Sequence, residues 1–174
     1  MASVDERPLA LVGIMGAGKS AVAHRLGERL AVAVADLDAM IEADVGGSIA
    51  ELFQREGEAA FRQREGQALE RALAAGARVV ACGGGIVVDP RHRERLARRC
   101  RVVWLEVTPA EAARRIAHDL ASRPLLAGLG AEQALSRILA EREPFYAEVA
   151  DVRVATAGRT PDAVADRVLE ALAD

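Results

Sequence analysis

The chain is poor in cysteine and lysine: it has two cysteines, Cys82 and Cys100, and Lys19 is the only lysine among 23 lysine and arginine residues. Two thiols this far apart fit neither a disulfide framework nor a metal-binding pattern, and such scarcity is typical of a reducing compartment. No apolar run approaches the ~20 residues needed to span a bilayer. The first residues place acids before a short apolar run, which is not the layout of a signal peptide. We therefore expect a cytoplasmic protein without a membrane partner.

The overall composition is that of a globular protein. The 174 residues are 51% hydrophobic and 28% charged, and a chain of this length is expected to form one domain over residues 1–174. Because the net charge is −3, nucleic acid is not an expected partner. The arginine-rich segment 91–101 is interrupted by Glu94 and has no interleaved aromatic residues, which favours a solvated helix face. No surplus apolar face is evident in the pattern, so we expect a monomer.

Short apolar runs alternate with longer amphipathic segments along the chain. Strands are expected at residues 9–12, 31–35, 79–81, 102–105 and 152–155, with helices between them and at the C-terminal end. Ser48 and Glu51 have the S-x-x-E spacing of a capping box, and a long helical pattern runs from there towards Leu73. This alternation predicts an α/β fold in which helices cover both faces of a five-stranded parallel sheet, giving three αβα layers.

Residues 13–20 read GIMGAGKS and match the G-x-x-x-x-G-K-[ST] pattern between an expected strand and an expected helix. In such a loop the glycines let backbone amides surround phosphate oxygens, and the following helix N-terminus adds partial positive charge. Lys19 would bridge the β- and γ-phosphates, and the Ser20 hydroxyl would bind Mg²⁺. A compact ammonium suits this position better than a planar guanidinium. The pattern predicts a nucleoside triphosphate site.

Two acids, Asp36 and Asp38, follow the second expected strand, whereas the third strand is followed by Cys82 and glycines. Because the carboxyl ends of parallel strands face the ligand crevice, both aspartates should face the phosphates. Two residues apart in an extended segment, they would project to the same side. One would hold Mg²⁺ through water and the other would take a proton from an acceptor hydroxyl. The alternative is an ordinary helix cap with a second surface acid, which the phosphate loop upstream disfavours.

Several further motifs occur in order along nearly the whole chain. They are GIMGAGKS, Asp36-x-Asp38 with Ile41-Glu42, Gly47-Ser48-Ile49 with Phe53, Gly57-Glu58-x-x-Phe61-Arg62-x-x-Glu65, Gly83-Gly84-Gly85, Arg123-Pro124-Leu125-Leu126 and Arg142-x-x-x-Tyr146. Together they resemble the shikimate kinase family. The resemblance implies a P-loop kinase with a helical substrate-binding region at about 37–66 and a short lid at about 119–131. Its expected activity is Mg²⁺-dependent transfer of the ATP γ-phosphoryl group to the 3-hydroxyl of shikimate, a step of aromatic amino-acid biosynthesis.

The resemblance also implies how the acceptor is held. Asp38 would hold the shikimate hydroxyls and serve as the catalytic base, and Arg62 and Arg142 would bind the carboxylate. The remaining acceptor positions are Gly84 and Gly85, through backbone amides, and Phe53 and Phe61, as walls for the ring. A planar guanidinium is well shaped to bind a carboxylate through two hydrogen bonds.

The implied ATP-binding positions are Gly16, Ala17, Gly18, Lys19, Ser20, Ala21, Arg115, Arg123, Arg159 and Pro161. Arg123 would close over the γ-phosphate from the lid and act in catalysis with Lys19 and Asp38. Arg115 and Pro161 would enclose adenine, with Arg159 nearby, while Ser20 and Asp36 would lie at the metal. Ala21 stands where the family usually has threonine, but a backbone contact is expected there.

Two alternatives remain open. One is a related P-loop kinase for gluconate or a nucleoside monophosphate. The paired arginines and the triple glycine disfavour a nucleotide, whereas gluconate is also an anionic polyol. The other is a nucleotide sensor without turnover, which Lys19, Asp38 and Arg123 disfavour because a sensor needs neither a base nor a lid arginine.

Overall fold

The computed structural model describes residues 6–118 and 130–173 and contains one sheet of five parallel strands. The strands are β1 (Leu9–Val12), β2 (Val34–Asp36), β3 (Val79–Ala81), β4 (Arg101–Glu106) and β5 (Val152–Ala155). Their order is β2-β3-β1-β4-β5, and every adjacent pair is parallel. The central strands are short apolar runs because helices cover the sheet on both faces. The predicted three-layer α/β fold is confirmed.

The described helices are α1 (Lys19–Leu30), α2 (Leu37–Val45), α3 (Ile49–Ala74), α4 (Pro90–Arg99), α5 (Pro109–Ile116), α6 (Ala131–Val149) and α7 (Pro161–Ala173), and a 3-10 turn spans Ile86–Val88. The predicted capping box is present, since the Ser48 hydroxyl accepts from the Glu51 amide and the Glu51 carboxylate accepts from the Ser48 amide. None of these helices is long and apolar enough to cross a membrane.

The start of the second strand differs from the prediction. Helix α1 continues to Leu30 and ends at Ala31, whose φ of 52° is left-handed, so β2 begins at Val34 and not at residue 31. The chain also turns into helix directly after Asp36, because one oxygen of its carboxylate accepts from the amides of Asp38 and Ala39 at 3.1 and 3.2 Å. The expectation that Asp36 and Asp38 share an extended segment is therefore wrong. Asp36 is a helix cap, and Asp38 lies in the first turn of α2.

The long helix α3 bends at Gly57. This residue has φ 81° and ψ 176°, a conformation that glycine adopts without the steric cost of a β-carbon. The helical pattern in the sequence runs through this position, but the two halves point in different directions. The bend separates the segment that carries Phe53 from the segment that carries Phe61 and Arg62.

The arginine-rich helix α4 is neutralised by neighbouring acids. Its ion pairs are Arg91–Asp89, Arg93–Glu148, Arg95–Glu70, Arg98–Glu94 and Arg99–Glu70. Because each of its arginines faces a carboxylate within the fold, the segment is a helix face paired with acids and not a block of unpaired positive charge.

Candidate active site

Most of the residues predicted from the sequence meet in one cavity of about 660 Å³ at the carboxyl ends of the strands. The predicted residues on its wall are Gly16, Gly18, Lys19, Ser20, Ala21, Asp36, Asp38, Phe53, Phe61, Arg62, Gly84, Gly85, Arg115 and Arg142. Ala17 is buried within the phosphate loop, and Arg159 and Pro161 are exposed beside β5, away from this wall. Arg123 and most of the expected lid lie outside the described residues.

The phosphate loop passes close to helix α5. Gly16 has φ 82°, and a β-carbon there would lie 2.8 Å from the carbonyl oxygen of Ala112, so both conformation and space require glycine. Gly18 caps α1 without a side chain, which leaves the helix N-terminus open to the cavity. The Lys19 ammonium is buried and donates to the carbonyl oxygens of Gly13, at 2.8 Å, and Ile14, at 3.0 Å. The loop thus offers amide donors, a helix N-terminus and one ammonium to an anion.

Two oxygen-bearing side chains meet beside the loop. The Ser20 hydroxyl donates to the second carboxylate oxygen of Asp36 at 2.5 Å, while the first oxygen of Asp36 caps α2. Asp36 therefore fixes the start of α2, which carries Asp38, and also approaches the phosphate loop. The helix-cap alternative is therefore confirmed, and Asp36 also lines the cavity, while its role at a metal stays a prediction.

Arg62 is held by two acids on its own helix. Its guanidinium donates to Glu65 at 2.5 Å and to Glu58 at 3.0 Å, and 8% of the residue is exposed. Its Nε is buried and has no hydrogen-bond partner within the described chain. The ion pairs do not use all of the donors of Arg62, and the residue lines the cavity.

Glu65 is a site residue that sequence patterns alone leave without a role. It is fully buried on the cavity wall beside Arg62. Burial raises the pKa of Glu65 to about 7, although the Arg62 charge acts in the opposite direction and the Asp38 charge adds to the rise. Its position three residues after Arg62 is the available signal, because residues at that spacing share a helix face.

The two phenylalanines form one aromatic wall. The rings of Phe53 and Phe61 have centroids 4.9 Å apart and are tilted by 43°. They lie on either side of the bend at Gly57, and the Arg62 guanidinium lies 5.1 Å from the centroid of the Phe61 ring. A nonpolar ring surface next to a cationic group suits a small ligand that carries both a ring and a negative charge.

Arg115 connects the phosphate loop to the segment after β5. It donates to the Gly16 carbonyl at 3.2 Å, to the Thr156 hydroxyl at 3.1 Å, to the Thr156 carbonyl at 2.9 Å and to the Glu111 carboxylate at 3.0 Å. These bonds lie at the edge of the guanidinium and leave its flat faces for stacking. Thr156 is buried and has no role predicted from the sequence. Arg159 belongs to the same turn, because its backbone amide donates a hydrogen bond to the Thr156 carbonyl oxygen at 3.2 Å.

A parallel sheet whose central strand leads into a lysine-bearing phosphate loop, with a polar cavity at the strand ends, defines a P-loop nucleotide-binding protein. The family model for shikimate kinase matches residues 15–173. A shikimate kinase from Symbiobacterium thermophilum is 41% identical over 165 residues, which cover 94% of this chain and 95% of the relative. The chain belongs to the shikimate kinase family.

Solved structures agree with this assignment. A shikimate kinase from Acinetobacter baumannii in complex with shikimate superposes with a TM-score of 0.89 at 34% identity, covering 96% of this chain and 93% of that chain. A gluconokinase from Sinorhizobium meliloti reaches a TM-score of 0.54 at 18% identity, covering 97% and 92% of the two chains. At that identity the gluconokinase shows a shared fold and nothing about the acceptor.

Proposed function

We propose that this chain is a shikimate kinase, which transfers the γ-phosphoryl group of ATP to the 3-hydroxyl of shikimate and releases shikimate 3-phosphate and ADP. The observation that carries the proposal is that the phosphate loop, Asp38 and the arginines Arg62 and Arg142 face the same cavity. Membership of the shikimate kinase family supports the same activity.

At the acceptor end of the cavity, Arg62 and Arg142 bind the carboxylate of shikimate. Both are almost completely buried, so a carboxylate between them would be shielded from solvent and its charge-assisted hydrogen bonds would be strong. Phe53 and Phe61 pack against the ring, and the backbone of Gly84 and Gly85 approaches it from the carboxyl end of β3.

Asp38 is the proposed catalytic base. It lies on the cavity wall in the first turn of α2, at the entrance to the phosphate loop. In the transfer step its carboxylate accepts the proton of the 3-hydroxyl as the acceptor oxygen forms a bond to phosphorus, and the bond to the ADP oxygen breaks. This chemistry asks the protein mainly for positioning and charge neutralisation.

The phosphate end neutralises charge. Lys19 moves from loop carbonyls to the phosphates, and amides of Gly16, Ala17 and Gly18 bind phosphate oxygens. The Ser20 hydroxyl and the Asp36 carboxylate are oxygen groups of the kind that Mg²⁺ prefers, and their hydrogen bond places both beside the phosphate loop, where they would hold the ion. When bound, Mg²⁺ would neutralise phosphate charge, and phosphate oxygens and water would complete its ligands. Arg123, outside the described residues, is proposed to add a late positive charge.

The adenine end lies along the connection between the phosphate loop and the segment after β5. Arg115 presents a flat face there, and Pro161 and Arg159 are proposed to complete the adenine site. We further propose one kinase domain, with a substrate-binding region at about 37–66 and a lid at about 119–131, acting as a monomer in the cytoplasm. The exposed large hydrophobic side chains of the described chain are Leu30, Val34 and Val88, too few for an extended apolar face.

An ADP-release assay tests the proposal directly. Purified protein with Mg²⁺ and ATP is offered shikimate, gluconate and nucleoside monophosphates, and turnover is expected with shikimate. Turnover with gluconate alone would show that the protein is a gluconate kinase. ATP binding without turnover of any acceptor would show that it is a nucleotide sensor.

A matched pair of arginine variants tests the acceptor end. Arg62→Ala should raise KM for shikimate and leave KM for ATP nearly unchanged, because Arg62 lies in the acceptor half of the cavity. Arg64→Ala removes an arginine of the same helix whose ion pair with Glu56 lies outside the cavity, and it should change neither constant. Equal rises of both KM values in Arg62→Ala would contradict the carboxylate role.

A further inference from the structure

Tyr146 is buried at the junction of helix α6 and the sheet. It is 0% exposed and lies one helical turn after Arg142. Its ring stacks on Trp104 of β4, with centroids 5.6 Å apart and an interplanar angle of 27°. Its hydroxyl donates a hydrogen bond to the backbone carbonyl oxygen of Gly84, which is 62 residues away in the sequence. A hydroxyl in this position satisfies a backbone acceptor that no strand partner reaches.

Arg142 lies one turn before Tyr146 on the same face of α6, and its charge acts on the Tyr146 hydroxyl. A phenol has one proton to donate, and Tyr146 donates it to Gly84, so the helix turn that carries Arg142 is tied to the glycine turn. Burial raises the pKa of Tyr146 to about 12, although the Arg142 charge acts in the opposite direction, and the phenol therefore keeps the proton that it donates to Gly84. One hydrogen bond thus connects the helix that carries the arginine Arg142 to the glycine turn.

Gly84 in turn lies against the phosphate loop. A β-carbon at Gly84 would lie 3.2 Å from the Met15 amide nitrogen and 3.3 Å from the Gly13 carbonyl oxygen, so the two backbones are in close contact. Glycine has no side chain to fix the orientation of its own peptide, so an external hydrogen bond has to do so. The phenol supplies that bond on the side where Arg142 lies.

We propose that Tyr146 is a positioning residue that holds the turn of α6 that carries Arg142 in register with the Gly84 peptide, and so sets the acceptor site at a fixed place relative to the phosphate loop. The inference rests on the proposed shikimate kinase activity. Tyr146 touches no reacting atom, and it acts through Arg142 and Gly84.

Tyr146→Phe is the test, because it removes one oxygen and keeps the ring stacked on Trp104. KM for shikimate should rise about ten-fold, the scale expected when a buried hydrogen-bonding pair loses its partner. KM for ATP should stay within about twofold, and kcat should fall less than KM rises. Phe145→Leu is the matched control, because it removes packing from the same helix next to Tyr146 but leaves the hydrogen bond to Gly84 in place. It should lower Tm without moving KM for shikimate.

A double-mutant cycle with Arg142→Ala separates positioning from general destabilisation. If Tyr146 acts through Arg142, adding Tyr146→Phe to Arg142→Ala should raise KM for shikimate much less than it does alone. The inference would be overturned if the two substitutions raised KM for shikimate by independent factors that multiply in the double variant, or if Tyr146→Phe left KM unchanged. In either case an active wild type would leave the proposed function intact.

Hydrogen–deuterium exchange gives a readout that does not depend on turnover. Amides in residues 83–88 should exchange faster in Tyr146→Phe than in wild type, because the glycine turn loses its external bond. The Phe145→Leu control should leave them unchanged. Equal exchange in Tyr146→Phe and wild type would overturn the inference, whether or not the wild type is active. A wild type that phosphorylates no acceptor would refute only the proposed function.

Discussion

Gly85→Ala should damage shikimate binding while leaving the fold nearly intact. Gly85 has φ −102°, which alanine adopts without strain. The added β-carbon would lie 2.5 Å from Cζ of Arg62, whereas real β-carbons keep at least 3.0 Å from other heavy atoms. The guanidinium must therefore move by roughly 0.5 Å or more away from the place where Glu58 and Glu65 hold it. Displacements on the order of 1 Å in a positioned group cost up to about 100-fold in rate.

The expected result is a fall in kcat/KM for shikimate of about 10- to 100-fold, with KM for ATP almost unchanged. Steady-state kinetics with each substrate varied in turn measure both constants, and Tm should change little because the displaced atoms end a flexible side chain. Gly47→Ala is a matched control. Its β-carbon would lie 2.6 Å from a carboxylate oxygen of Glu51, outside the cavity, so Tm should fall slightly while KM for shikimate stays constant.

A cycle with Arg62→Ala decides whether the effect passes through Arg62. In an Arg62→Ala background the space at Gly85 is open, so Gly85→Ala should add little further loss of kcat/KM. The same loss in both backgrounds would refute the reasoning, since the methyl group would then be acting on something other than Arg62.

Three further outcomes are expected. Lys19→Arg should lower kcat about 100-fold or more, because a planar guanidinium does not fit where a compact ammonium bridges two phosphates; activity within a few-fold of wild type would contradict this. Asp38→Asn should lower kcat about 100-fold or more with KM for ATP preserved, and an unchanged kcat would remove Asp38 from the mechanism. KM for shikimate should rise as pH passes upward through about 7, where Glu65 ionises beside the bound anion. Glu65→Gln should flatten that rise, and an identical pH profile in both proteins would exclude Glu65 as its source.

Local patterns were sufficient for the sheet and the phosphate loop. Short apolar runs predicted all five strands, although β2 begins at Val34 and not at residue 31. The G-x-x-x-x-G-K-S spacing placed Lys19 and Ser20 at the start of α1, as the structure shows. The long helical pattern after Ser48 was correct at both ends but did not reveal the bend at Gly57, since helical periodicity continues across it. The motif spacing also identified Arg62 and Asp38, both of which line the cavity.

Tertiary structure decided what surrounds these residues. Asp38 reaches the cavity from a helix and not from a strand, because the Asp36 carboxylate caps that helix. Glu65 has a raised pKa only because packing excludes water from it. The hydroxyl of Tyr146 meets Gly84 only once α6 has packed against the sheet. The sequence by itself determined which groups the chain carries and the local hydrogen bonds that start its helices, since these depend on residues a few positions apart. Burial and the contacts between distant segments exist only in the packed chain, and they set the charge, orientation and spacing of the acceptor site.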